Sequence, residues 1–218
     1  GGTLMDAVIA IEQVAAVCPR SADVVQFGNF GPIRTFAEYG TPQQKARWLP
    51  DLLQGRMVMS LGITEPDAGS AATDLKTSAK PDGSHYVING SKVFSTFSPD
   101  AAIFLVYVRY GPGLGGIGSV IVERDAPGFK VGQPSSFMSG EEWCELHFDN
   151  CRIPATQLLG SPGEGFKIAM RDLEIFRPSV AAAATGFARR ALDEAVAHAK
   201  SRKMFGATLS DLPTAQST

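Results

Sequence analysis

Cysteine, histidine and charge of one dominant sign are all scarce in this chain of 218 residues, and each shortage removes a class of function. Cys18, Cys144 and Cys151 form an odd set with no C-x-x-C spacing, which argues against a disulfide framework and against a structural zinc site. His85, His147 and His198 lie far apart and give no H-x-x-x-H pair, so no metal centre is expected. Twenty Lys and Arg against twenty-two Asp and Glu leave a net charge of −2, too little basic field to hold a phosphate backbone, so nucleic-acid binding is not expected. The longest apolar runs, such as residues 101–108, fall far short of the ~20 residues that cross a bilayer. The opening Gly-Gly-Thr-Leu-Met-Asp has no basic stretch of the kind that starts a signal peptide. A soluble protein without a membrane span, cytoplasmic by default, is the expectation. Hydrophobic residues at 44% and charged residues at 19% exclude a disordered chain.

What is present changes character twice along the chain. Leu4, Val8, Ile11, Val14, Ala15 and Cys18 recur at helical spacing, and Thr41-Pro42 suits the cap and first turn of another helix. The first ~55 residues therefore read as mainly helical. From Met57 to about Gly160 the pattern is that of short strands separated by turns, at 75–80, 85–88, 92–96, 101–110, 119–123, 129–132 and 144–148. Pro81-Asp82-Gly83 and Asn89-Gly90 read as two successive hairpin turns, which also explains the Asn89-Gly90-Ser91 sequon without glycosylation. So many short strands predict an antiparallel barrel or sandwich. Beyond Gly160 an Ala-rich helix is expected from about Gly165 to Ser201, with nine alanines from Ala181 to Ala199 and with Pro178 starting or kinking a helix. The expected class is α+β and multidomain: a helical segment at 1–56, a β-barrel or sandwich at 57–160 and the start of a helical bundle at 161–218.

One literal motif is rejected. Gly113-Leu114-Gly115-Gly116-Ile117-Gly118 matches G-x-G-x-x-G, but a dinucleotide site needs a helix directly after the glycines to hold the pyrophosphate. Ser119-Val120-Ile121-Val122-Glu123 follows instead, and its adjacent β-branched residues make it a strand. The glycines read as a flexible hairpin loop.

Thr64-Glu65-Pro66-Asp67-Ala68-Gly69-Ser70 leaves a strand-like run and enters a turn whose N–H groups and hydroxyls can cradle a polar or anionic ligand. Read as T-E-P-x-A-G-S, this segment resembles the signature of the acyl-CoA dehydrogenase family, and further segments fall in the family order. These are Tyr39-Gly40-Thr41-Pro42-Gln43-Gln44-Lys45 with Trp48-Leu49-Pro50, then Tyr86-Val87-Ile88-Asn89-Gly90-Ser91-Lys92 and Pro127-Gly128-Phe129. Phe148-Asp149-Asn150-Cys151-Arg152-Ile153-Pro154, the Gly163-Glu164-Gly165-Phe166 entry and Arg202-Lys203-Met204-Phe205-Gly206 complete the set.

The resemblance implies an N-terminal helical domain, a middle β-barrel and a C-terminal helical bundle, of which this chain holds only part. It also implies FAD, an acyl-CoA thioester substrate in fatty acid metabolism, and α,β-dehydrogenation, in which a carboxylate takes the α-proton and the β-hydrogen leaves as hydride to flavin N5. Electron-transfer flavoprotein or another acceptor, and a homodimer or homotetramer, are implied with it. Carried over by position, Leu61, Ile63 and Thr64 resemble the strand against the flavin ring, and Gly69 and Ser70 the turn near the flavin phosphates and the pantetheine arm. Phe94, Ser95 and Thr96 occupy the W-I-T/S segment, with Thr96 donating toward N5 and Phe94 shielding the ring. Glu174 and Arg177 fall at contacts to the CoA portion, although their i, i+3 spacing equally suits a surface ion pair. Arg202, with Phe205 beside it, resembles the arginine that reaches the neighbouring subunit's FAD pyrophosphate.

The chain also departs from the pattern. A minority of the family carries its catalytic glutamate at the position of Phe176, and a phenyl ring cannot be a base. Glu174 is about 200° around a helix from that position, so no catalytic base is assigned. Thr96 is followed by Phe97-Ser98-Pro99 in place of Asn and Gly, and the usual M-G-x-R-x-S-x-T-x-E-L is replaced by the segment from Met138 to Leu146, without its arginine. Pro213 stands where a helix would carry glutamine. These departures keep two other outcomes open: a family member with altered chemistry such as desulfination, and a non-catalytic partner subunit of a hetero-oligomeric dehydrogenase.

Overall fold

The computed structural model describes residues 2–138 and 140–217. Helices α1 (Leu4–Ala15), α2 (Pro19–Asn29), α3 (Pro32–Tyr39) and α4 (Pro42–Leu53) come first. Each of α1 and α4 begins with a reciprocal capping box, Thr3 with Asp6 and Thr41 with Gln44, which satisfies two of the free N–H groups of a helix start. Strands β1 (Met59–Gly62), β2 (Ser78–Asp82), β3 (His85–Thr96), β4 (Ile103–Arg109), β5 (Ile117–Glu123), β6 (Phe129–Val131), β7 (Ser135–Ser136), β8 (Glu142–Pro154) and β9 (Leu158–Leu159) follow. Helix α5 (Gly165–Ser201), the small hairpin β10 (Lys203–Met204) and β11 (Ala207–Thr208), and a short α6 (Pro213–Gln216) end the described chain. No helix among the described residues is long and apolar enough to cross a membrane.

Two compact units share these elements. One is Phe27–Phe176, and the other joins the residues up to Gln26 with those from Arg177 onward. In the second unit α1 lies close against α5: a Cβ at Gly186 would stand 2.4 Å from the Glu12 carbonyl oxygen. Arg189 pairs with Glu12 at 2.6 Å, and Gln26 donates to the Ser179 hydroxyl at 2.9 Å.

The sheet belongs to the first unit, in the order β6-β8-β3-β2-β4-β5-β9, with β1 beside β4 and β7 beside β8. The apolar run that opens β4 is explained by burial on both faces. Phe104, Val106 and Val108 point into one core with Ile88, Val120, Leu146 and Phe148, while Ile103, Leu105 and Tyr107 point into another with Phe36, Trp48, Ile117 and Ile168. The second core joins sheet to helices. Gln44, already part of the α4 cap, donates from Nε2 to the carbonyls of Thr156 and Leu158 at 2.8 Å each.

Two expectations are corrected. The sheet is mixed, because β1 and β2 both run parallel to β4, and among the described residues no pairing joins β6 to β9 to close a barrel. Asn89-Gly90 is no hairpin turn but a bulge inside the continuous strand β3, where the register to β8 shifts between Ile88 and Gly90. Gly90 has φ of 143°, and a Cβ there would lie 2.6 Å from the Thr77 hydroxyl, so glycine serves close packing on β2's entry rather than a reversal. Asn89 instead accepts from the Asn150 N–H through its side-chain oxygen at 2.8 Å. The hairpin at Gly83 and the strand after the 113–118 glycines form as expected.

A buried ion pair ties together the chain that follows β1, the chain that enters β2, and strand β3. Lys92, 0% exposed, donates from Nζ to the Glu65 carboxylate at 2.8 Å and to the Ile63 carbonyl at 3.1 Å. Glu65 also accepts the backbone N–H groups of Lys76 at 2.6 Å and Thr77 at 2.9 Å. Burial lowers the Lys92 pKa to about 8 against the attraction of Glu65. Burial pushes Glu65 the other way, but the Lys92 charge and the three donated hydrogen bonds outweigh it and hold the carboxyl below its ordinary value. Removing one partner strands the other charge away from water. Lys92→Met is expected to cost about 3–5 kcal/mol of stability in chemical denaturation. Lys92→Met combined with Glu65→Gln, which keeps the acceptor oxygen and removes the charge, should recover about 1–3 kcal/mol of the summed single losses. Additive losses would show that the two side chains do not act as a pair.

Candidate functional site

Within the Phe27–Phe176 unit a cleft of about 180 Å³ opens between the β1 and β3 ends and helices α2, α3 and α5. Its β-side wall is Leu61, Ile63, Thr64, Val93, Phe94 and Thr96, and its helical wall includes Phe27, Gly31, Asp172, Leu173 and Phe176. Five positions carried over from the resemblance thus meet in one place: Leu61, Ile63, Thr64, Phe94 and Thr96. Local structure explains why. Strand β1 runs into Ile63 and Thr64, whose carbonyls accept from Lys92 Nζ and from the Val93 N–H at 2.9 Å, so the two stretches lie side by side. The β-side wall is apolar apart from the hydroxyls of Thr64 and Thr96, which suits a flat, mostly apolar ring with polar edges.

The end of β3 is distorted where it meets the cleft. The register to β8 shifts again between Lys92 and Ser95, and Phe94 and Phe97 adopt φ of 57° and 58°. A bulky residue in the left-handed region is strained, and two such residues flank Ser95-Thr96. Phe94 is 56% exposed and packs on Trp143 with ring centroids 4.6 Å apart. Thr96 is also held from behind, because its carbonyl accepts from the Ser60 hydroxyl at 2.8 Å.

Other expected site residues lie elsewhere. Ser95 points away from the cleft; it is fully buried, and its hydroxyl has no hydrogen-bond partner among the described residues. Gly69 and Ser70 sit exposed on the turn beyond Ala68, where Glu65 and Ala68 exchange two backbone hydrogen bonds of 3.1 Å. Glu174 lies outside the cleft, exposed and 3.8 Å from Arg171. Arg177 and Arg202 are exposed, and Phe205 is 97% exposed at the β10–β11 turn, all three within the other unit.

Sequence reasoning missed Asp172 and Phe27. Asp172 is one helical turn before Phe176 on the same face of α5, so the spacing i, i+4 was the signal that could have found it. Its carboxylate accepts from the Thr35 hydroxyl at 2.8 Å. Burial raises its pKa to about 6, against the opposing effect of the Thr35 hydrogen bond. The folded chain therefore holds this proton more tightly than an unfolded one with the ordinary value of 3.8. The resulting contribution to stability is complete below that value and is lost as the pH rises through about 6. Asp172→Asn should flatten the fall in stability across this window by up to about 3 kcal/mol. Parallel wild-type and variant urea melts from pH 3.5 upward check it, and identical pH profiles would refute it.

Comparison with known proteins agrees with the motif order. Models of the acyl-CoA dehydrogenase N-terminal, middle and C-terminal domains match residues 1–56, 60–151 and 163–218. Acryloyl-CoA reductase (NADH) of Anaerotignum propionicum is 38% identical over 97% of this chain and 55% of its own length. The short-chain-specific acyl-CoA dehydrogenase of Clostridium acetobutylicum is 34% identical over 96% of this chain and 56% of its own. Butyryl-CoA dehydrogenase from Megasphaera elsdenii superposes with a TM-score of 0.91 at 33% identity, over 99% of this chain and 58% of that one. The chain spans about half the length of these relatives. Three domain models in sequence, and a fold shared with solved relatives across nearly every residue, establish that this chain belongs to the acyl-CoA dehydrogenase family.

Proposed function

We propose that the protein of which this chain forms part is an FAD-dependent acyl-CoA dehydrogenase that desaturates an acyl-CoA thioester between its α and β carbons. The observation that carries this reading is the convergence of Leu61, Ile63, Thr64, Phe94 and Thr96 on one cleft in a chain of this family. The cleft tests whether a flavin fits: its β-side wall offers an apolar face and two hydroxyls, and the carboxyl that lines it, Asp172, stands on the helical wall and is already bonded to Thr35. Bound there, FAD supplies the hydride acceptor that no protein side chain can provide. The FAD complex of PigA, 26% identical to this chain with a TM-score of 0.92, is a solved relative that holds this cofactor.

The chain's own residues divide the remaining tasks. Leu61, Ile63 and Phe94 would cover the ring and exclude water from it. Thr64 and Thr96 would offer their hydroxyls to the polar edge of the ring. The exposed turn at Gly69 and Ser70 offers N–H groups to the phosphates and the pantetheine arm, and Gly69 has no atom within 4 Å of where a Cβ would stand. Arg202 and the bare ring of Phe205 are assigned to a neighbouring subunit's FAD, which makes the protein a homo-oligomer. Glu174 and Arg177 are assigned to the CoA portion.

Purified full-length protein should carry FAD, and at least one short acyl-CoA should bleach its flavin band under anaerobic conditions. Thr96→Ala should weaken flavin retention by about tenfold, the loss of one hydrogen bond to a polar ring atom. A protein that neither carries nor takes up FAD would overturn the reading and favour a non-catalytic partner subunit.

A further inference from the structure

Four backbone carbonyls accept from the guanidinium of Arg109, the last residue of β4. Its Nε donates to Leu75 at 2.7 Å, its Nη1 to Gly111 and Gly113 at 3.1 Å each, and its Nη2 to Thr73. The fork thus bridges the chain that enters β2 and the glycine-rich loop between β4 and β5, a task for which one ammonium nitrogen has too little reach. The first of these stretches carries the T-E-P-x-A-G-S turn and is pinned on both sides of it. Before the turn, Ala68 is 1% exposed and exchanges two backbone hydrogen bonds with Glu65. After it, Thr73 and Leu75 are held by Arg109, and Lys76 and Thr77 by the Glu65 carboxylate. Only residues 69–72 lie between these anchors.

The glycine loop supplies the fixed side of the bridge. A Cβ on Gly116 would run into the Gly111 carbonyl and one on Gly118 into the Tyr110 ring, while a Cβ on Gly165, at the start of α5, would stand 2.5 Å from the Gly118 Cα. Gly113 has φ of 68° and ψ of −171°, a conformation open essentially to glycine alone, and its carbonyl meets Arg109 from there. The motif that cannot bind a dinucleotide is therefore a packed abutment.

We propose that Arg109 is a positioning residue for ligand binding: it ties the chain after the Gly69–Ser70 turn to the glycine loop and so holds that turn in the shape that receives the pantetheine arm of an acyl-CoA. This rests on the acyl-CoA dehydrogenase reading above. Arg109 is not among the residues that line the cleft, so it acts through the turn. A short span fixed at both ends is ordered before the ligand arrives, and the ligand does not have to order it on binding.

Two thioesters separate this role from general damage to the fold. Isothermal titration of the full-length protein, with FAD in excess, compares 2-butenoyl-CoA with the 2-butenoyl thioester of N-acetylcysteamine, which keeps the reacting end and lacks most of the arm. Arg109→Gln should weaken the CoA ester about tenfold, the cost of ordering roughly one backbone residue on binding, and leave the truncated ester within about twofold. Arg109→Lys, which keeps the charge and loses the fork, should do the same. Gly113→Ala, which displaces one acceptor carbonyl and leaves Arg109 in place, should weaken the CoA ester about threefold. Unchanged affinity for the CoA ester, or an equal loss for both esters, would overturn the positioning role. Full affinity in Arg109→Lys would overturn the assignment to the fork. Should neither Arg109 variant fold, the ratio of the two affinities in Gly113→Ala decides. Failure of the wild type to bind 2-butenoyl-CoA would instead overturn the acyl-CoA reading itself.

Discussion

An ammonium group with no water around it must be neutralised and hydrogen-bonded where it stands, and in this chain that demand falls on Lys92. Glu65 and the Ile63 carbonyl meet it, and Glu65 in turn collects two backbone N–H groups from the entry to β2. Residues 63–65, 76–77 and 92–93 are thereby brought to one point inside the sheet. Such a pair stabilises little in net terms against a well-packed apolar replacement, because both ions lose hydration. Its effect is geometric. Ile63 and Thr64 on one side and Phe94 and Thr96 on the other follow directly from the tied segments, and these residues make up most of the cleft's β-side wall. The polar interior of the sheet and the proposed cofactor surface are thus two faces of the same arrangement.

Much of the fold was legible because local signals agreed with the tertiary result. The Thr41 cap, the apolar run of residues 101–108 that leads into β4 and the 37-residue span of α5 all had a period or a punctuation residue to mark them. Parallel pairing of β1 and β2 with β4 had no such mark, since strand direction depends on how the connecting chain crosses the sheet. Asn89-Gly90 misled for a related reason. Glycine signals an unusual backbone angle, and both a hairpin and a bulge use one. What decides between them is the partner strand, β8, about sixty residues away.

The β-side wall of the cleft was equally legible, because its residues sit in two short motifs on adjacent strands. The bulge between Lys92 and Ser95 breaks the alternation of β3, so that Val93, Phe94 and Thr96 all line the cleft while Ser95 is buried away from it. The helical wall was harder to read. Phe27, Asp172 and Phe176 come from helices separated by well over a hundred residues, and no local pattern links an aromatic in α2 to an acid in α5. Phe176 attracted attention only as the wrong residue for a base. The structure gives that position a physical role in the wall of the cleft, against the Gly31 backbone.

The two tryptophans divide between these parts of the molecule. Trp48 is 3% exposed in the core between helices and sheet, with the Arg47 guanidinium 4.7 Å from its ring centroid. Trp143 stands between Phe94 and Phe137, beside the cleft and partly in water. The indole in the core is held by the packing of sheet on helices, whereas the second indole touches the cleft only through the ring of Phe94. The two indoles therefore stand in different surroundings, one sealed in the core and one partly in water beside Phe94.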